Sequence, residues 1–99
     1  MKIVTRQEGP TTIVEPKGAF AGAACDDFAL AMKRTLETEQ FQVVVDLRSV
    51  SVLDSRALEA LLKYKEKLVS LGGRFTITNP SAKVSTILRV TRLERDLEV

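Results

Sequence analysis

"SVLDSRALEALLK", Ser51 to Lys63, is where the hydrophobic period of this chain changes. Apolar residues run nearly continuously up to Leu53. From Leu58 onward they recur every three or four positions, as on one face of a helix. Three polar residues, Asp54, Ser55 and Arg56, fall at the join. Either they only start the helix, or they form a site that a partner recognises or modifies.

Upstream of the join, "FQVVVDL", Phe41 to Leu47, is rich in β-branched residues and nearly continuously apolar. That pattern predicts a central strand buried on both faces. After "RSVSVLD" the helical period takes over. Leu58, Leu61, Leu62, Leu68 and Val69 form one stripe, and Arg56, Glu59, Lys63 and Glu66 lie on the opposite side. "LGG", Leu71 to Gly73, ends the helix with glycine in the C′ role. "RFTIT", Arg74 to Thr78, is then a short strand, so residues 41–78 form a βαβ unit whose strands are parallel, with a right-handed crossover. In "NPS", Asn79 is placed to cap a third helix with Pro80 at its first position. That helix covers roughly Ser81 to Val90, with Val84, Ile87 and Leu88 on one face. "RDLEV", Arg95 to Val99, reads as a last edge strand.

Working back towards the N-terminus, Ile3 to Gln7 and Thr12 to Lys17 alternate in β-like runs. "EGP", Glu8 to Pro10, supplies the turn of an antiparallel hairpin. Pro16 places the end of the second run at a sheet edge or bulge. "GAFAGAA", Gly18 to Ala24, reads as a small-residue loop. A first helix is expected over Ala24 to Glu37, with Asp26 and Asp27 favouring the positive end of its dipole. The architecture is therefore one domain over residues 1–99: a small α/β fold, its mixed sheet carrying helices mainly on one face.

Composition removes several function classes. The 99 residues suit one compact domain. With 44% hydrophobic and 28% charged residues the chain reads as globular. No apolar run approaches the roughly 20 residues that span a bilayer, and "MKIVTRQEG" has no secretory h-region, so a cytoplasmic location without membrane insertion is expected. The 15 basic and 13 acidic residues are mixed along the chain and give a net charge of +2, which argues against direct nucleic-acid binding. One cysteine and no histidine exclude an intrachain disulfide, a Cys/His zinc site and a Ser-His or Cys-His pair. Cys25 sits at helical spacing with Phe28, Ala29, Met32 and Leu36 and reads as core. No glycine-rich phosphate loop is present, so neither a cofactor nor an enzymatic role is expected.

Two carboxylates, Asp46 and Asp54, flank the strand end and the helix start. Without a histidine or a nucleophile beside them, acid/base catalysis is the weaker reading. Asp54 is expected to cap the helix and Asp46 to accept loop hydrogen bonds. Ser55 can serve as the N-cap or sit at the first helical position, and the same geometry would welcome a phosphate. Arg56 opposes the helix dipole. It is either a solvated side chain paired with Glu59 or a contact for an acidic partner or anion.

Over its whole length, and most specifically from Val43 to Val90, the chain resembles the STAS domain of bacterial anti-sigma factor antagonists. The likeness is carried by a buried strand ending in "DL", an apolar-Asp-Ser step into a helix, "LGG", a strand, and "NPS" before a third helix. It implies binding to a protein partner, an anti-sigma factor that is also a serine kinase, through the start of the second helix. In that family, phosphorylation of a hydroxyl there breaks the complex. The candidate contact residues are Ala21, Asp54, Ser55, Arg56, Ala57 and Leu58, and Ser55 is the candidate phosphorylation site.

The motif departs from the family where it matters. Members typically read Asp-Ser-Ser-Gly or Asp-Thr-Ala-Gly; here it is Asp54-Ser55-Arg56-Ala57. Arg56 stands where the two-serine form carries its modified hydroxyl. The acidic residue usual in the loop before the first helix is Ala21. Ser55 either accepts phosphate in place of its neighbour or the switch is lost. An accessory STAS subunit of an ABC transporter, or of a stressosome-like sensory complex, is the alternative role.

Overall fold

A computed structural model of the chain describes residues 1–93, 95 and 97. Among the described residues, five strands and three helices follow in the order β1 (Lys2–Glu8), β2 (Thr11–Phe20), α1 (Ala24–Glu37), β3 (Gln42–Asp46), β4 (Val50–Leu53), α2 (Ser55–Ser70), β5 (Arg74–Thr78) and α3 (Ala82–Val90). β1 and β2 form the expected antiparallel hairpin, with Glu8 opposite Thr11 across a two-residue turn. Gly9 has φ +59°, a conformation that a side chain would strain. β3 and β5 are parallel neighbours, as the strand-helix-strand pattern requires.

The sheet runs β1-β2-β3-β5, and β4 joins it through β2. β2 is a forked strand. Its first half, Thr11 to Val14, pairs with β3, and its last residues, Gly18 to Phe20, pair with β4. Three expectations are corrected here. Val50–Leu53, read only as part of the approach to the helix, is a strand. Gly18–Phe20, read as loop, is the end of β2, and the true loop is three residues long. Pro16, expected at the end of the run, lies mid-strand opposite Ile3; the expected edge is there, in the interval where β2 has left β3 and has not yet met β4. A residue without an N–H is tolerated there because only one neighbouring strand is present.

One face of the sheet carries the core. Val14, Val43, Val45, Phe75 and Ile77 are buried beneath the helices. α1 contributes Phe28 and Met32, α2 Ala57, Leu58, Leu61, Tyr64 and Leu68, and α3 Val84 and Leu88. Each large side chain buried in this way contributes about 1.5–3 kcal/mol. Phe20, Phe28 and Tyr64 form a ring cluster, with centroids 4.9 Å apart between the first two and 5.9 Å between the last two. The opposite face is left half-covered: Val4, Ile13 and Val44 are only partly buried. The strand around Val44 is thus central, but buried fully on one side only. Within α2 the buried stripe takes Tyr64 rather than Val69, which is 56% exposed.

Helix ends follow local chemistry. After α2, the Gly72 N–H donates to Val69 O and the Gly73 N–H to Leu68 O, closing the helix with Gly72 at φ +78°. Ser81, not Asn79, caps α3: its hydroxyl accepts the Val84 N–H at 3.2 Å. Asn79 instead adopts φ +53° and turns its amide towards Asp46 at 3.4 Å. The expected strand at Arg95 to Val99 falls largely outside the described residues; Leu97 is buried and its N–H donates to Leu93 O. No described helix is long and apolar enough to cross a membrane.

Candidate functional site

β2 and β4 are parallel and adjacent, with Phe20 opposite Leu53. Each hands over to a helix within a few residues, so the N-termini of α1 and α2 open side by side at the same end of the sheet. In open α/β sheets, the carboxyl ends of parallel strands are where ligands and partners are received.

Asp54 organises this end. It is the N-cap of α2, and one carboxylate oxygen accepts the Ala57 N–H at 2.9 Å. The other accepts the Gly22 N–H at 2.8 Å, from the loop before α1. Gly22 has φ +55°, the backbone turn that aims its N–H at the carboxylate. The backbone N–H groups of Ala57 and then Gly22 hold the Asp54 carboxyl below its usual pKa, and the Arg56 charge adds to this. Donors directed at a carboxylate stabilise its ionised form. The capping role read from the sequence is therefore what Asp54 does. Asp46 likewise accepts the Arg48 N–H of the following loop at 3.0 Å and pairs with the Arg48 side chain at 3.0 Å.

With Asp54 as the cap, Ser55 takes the first helical position and is exposed. Arg56 is exposed beside it, and its guanidinium lies 3.4 Å from Asp26 in the first turn of α1. The expected partner Glu59 is not the one used. Asp26 lies 30 residues away in sequence, and its position in the α1 first turn explained it without reference to Arg56; only the pairing of β2 with β4 brings the two helices together. The Arg56–Asp26 pair is exposed on both sides and contributes little to stability. Its effect is to place one basic and one acidic group at the paired helix mouths.

The six residues proposed for contact do not form one accessible patch. Ser55 and Arg56 are exposed, and Ala21 and Asp54 are half-buried. Ala57 and Leu58 are core residues, 0% and 9% exposed, because helix periodicity turns them under the mouth. A partner touching this end from outside would instead meet Asp26 and Glu59, both exposed. Gly22, Asp26 and Glu59 are residues of the site that were not among the six expected contacts. A cysteine also lies at this site: Cys25 is 6% exposed, and its thiol pKa is raised by burial first and by the Asp54 charge second. It behaves as the core residue its spacing suggested.

Comparison with known proteins fits this geometry. A STAS domain family model matches residues 2–99. A STAS-domain containing protein of Pseudomonas aeruginosa (strain UCBPP-PA14) is 31% identical over 88 residues, which span 89% of this chain and 86% of that protein. Among solved structures, an anti-sigma factor antagonist from Mycobacterium paratuberculosis superposes with a TM-score of 0.87 at 18% identity, covering 97% of this chain and 81% of the other. The unphosphorylated anti-sigma factor antagonist SpoIIAA gives 0.81 at 17% identity, covering 95% and 84%. Part of the murine anion transporter Slc26a9 shares the fold, at a TM-score of 0.70 and 19% identity; the match covers 92% of this chain and 15% of the transporter. The family model along nearly the whole chain and the 31% identical relative together place this protein in the STAS domain family.

Proposed function

We propose that this chain is an anti-sigma factor antagonist-like regulatory protein that docks a partner kinase or anti-sigma factor on the mouth of α2. The observation that carries this reading is the exposed Ser55–Arg56 step, flanked by the two hydrogen bonds from Gly22 and Ala57 to Asp54 and set beside Asp26 of α1. A hydrogen-bonded backbone under two exposed polar side chains suits recognition, because a preorganised surface loses less ordering entropy on binding. The work is binding; no cofactor and no catalytic step enters it, and a cytoplasmic place accompanies it.

The usual switch adds phosphate at the residue that is Arg56 here. A guanidinium carries charge opposite to phosphate and cannot accept it, so docking is constitutive with respect to that position. Ser55 is the one other hydroxyl of the motif and the place where a kinase would act if any switch operates. The test is a pull-down with each histidine-kinase-like anti-sigma protein of the same genome, with and without nucleotide, followed by phosphate incorporation. Capture without incorporation supports constitutive docking. Incorporation that disappears in Ser55→Ala restores the switch at Ser55, and no capture by any candidate removes the antagonist reading.

In a second reading the same mouth serves an accessory subunit of an ABC transporter or of a stressosome-like sensory complex; a segment of the anion transporter Slc26a9 has the same fold. Capture of an ATPase or of another STAS protein, in place of a kinase, would select it.

A further inference from the structure

β1 is the outer strand of the sheet path, paired with β2 along all seven residues. Among the described residues nothing pairs with its other edge. The edge has no proline and no bulge, so it offers a run of free backbone N–H and C=O groups. Charged side chains normally protect such an edge from strange strands, and Lys2, Arg6 and Glu8 stand along it on one face.

Those charges are self-complementary in the register that pairs the whole strand. With a second β1 laid antiparallel about a two-fold axis at Thr5, Lys2 faces Glu8 of the second copy, Ile3 faces its Gln7, Val4 faces its Arg6, and Thr5 faces its Thr5. A shift of two residues one way sets Lys2 against Arg6; a shift the other way sets Arg6 against Arg6. Shifts of one residue put the helices of the two copies on opposite faces and break the two-fold. Only the register centred on Thr5 forms two Lys–Glu pairs and no directly opposed like charges. Glu8 also receives Arg6 Nε at 3.4 Å within its own strand, a loose exposed contact that leaves it open to Lys2 of the second copy.

A second observation lies on the helix side of the same strand. Between β1 and α1 runs an open groove of about 490 Å³, whose walls include Ile3, Thr5, Leu30 and Ala31. Leu30 is 49% exposed on its rim. The two-fold axis sets the groove of one copy against that of the other, which brings both Leu30 side chains towards the joint.

We infer that two copies of this chain pair through β1, antiparallel and centred on Thr5, so that their sheets join into one. The surface uses none of the residues at the α2 mouth, and a dimer would present two such mouths. Sedimentation equilibrium of the full chain, from low micromolar to near millimolar concentration, tests it with Lys2→Glu, Glu8→Lys and an equimolar mixture of the two variants. The wild type is expected to dimerise, and each single variant to weaken the dimer roughly tenfold or more, since both pairs become repulsive. The mixture should recover it, because the acidic edge of one variant then meets the basic edge of the other. A wild type that stays monomeric throughout, single variants that dimerise like the wild type, or a mixture that recovers nothing would each overturn the inference.

Discussion

Asp54 and Gly22 lie 32 residues apart in the chain and are joined by one hydrogen bond of 2.8 Å, from the Gly22 N–H to the Asp54 carboxylate. The other oxygen of that carboxylate caps α2 through Ala57 at 2.9 Å. One side chain therefore fixes both the start of a helix and the loop that leads into its neighbour. In Asp54→Ala both bonds are lost, and Tm should fall by roughly 4–8 °C. Asp54→Asn has a single side-chain acceptor oxygen, so it should retain about half of that stability. Calorimetry on the two variants checks this; an Asp54→Asn variant as stable as the wild type would mean that one of the two bonds contributes nothing.

The same bonds give a pH dependence of definite sign. Because the folded carboxyl is held below its usual pKa by the Ala57 and Gly22 N–H groups, its stabilisation is complete above the unfolded value of about 3.9. It is lost as pH falls through the lower, folded value. The Tm difference between wild type and Asp54→Ala should be constant from neutral pH to about pH 5 and should shrink below about pH 4. A difference that grows on acidification would contradict the assignment.

Much of the frame was legible in the sequence, and the part that was not has a common cause. The hairpin, α1, the parallel β3–β5 pair and the glycine stop after α2 are written in local period and turn chemistry. β4 was missed because it has four residues and runs from a loop into a helix without a break in pattern. Missing β4 also hid the end of β2, since Gly18 to Phe20 are strand only through pairing with it. Gly22 and Asp26 then could not be placed beside Asp54 and Arg56, because that meeting depends on the β2–β4 pair. The cap itself was legible, since Asp54 precedes the helix whatever stands next to it.

Two adjacent glycines should respond differently to alanine. At Gly73 an added methyl would run into Phe41, meeting its Cβ at 2.6 Å and its backbone carbonyl, where the Arg74 N–H already donates to that carbonyl at 2.7 Å. Gly72 has open space around it and pays only for φ +78°. Gly72→Ala should cost about 1 kcal/mol and Gly73→Ala about 1–3 kcal/mol or more, by chemical denaturation. The reverse order would show that β3 and β5 can separate at this point without penalty.

Cys25 should be silent in the folded protein. Burial raises its thiol pKa, and the Asp54 and Asp26 carboxylates raise it further against a smaller lowering by Arg56. At pH 8 a disulfide reagent such as DTNB should label it only after denaturant is added, because the thiolate is the reactive form. Rapid labelling of the native chain would show that the mouth between α1 and α2 opens easily.

In the proposed function the α2 mouth docks a protein, with Arg56 as its basic contact. The direct measurement is calorimetric titration of a captured kinase or anti-sigma protein with wild type and with Arg56→Glu. Reversing this exposed charge leaves the core untouched, and acidic residues suit the first turn of a helix, so the variant should stay folded. Arg56→Glu should weaken binding by roughly tenfold or more at unchanged stoichiometry. Equal affinity of the two proteins would contradict it.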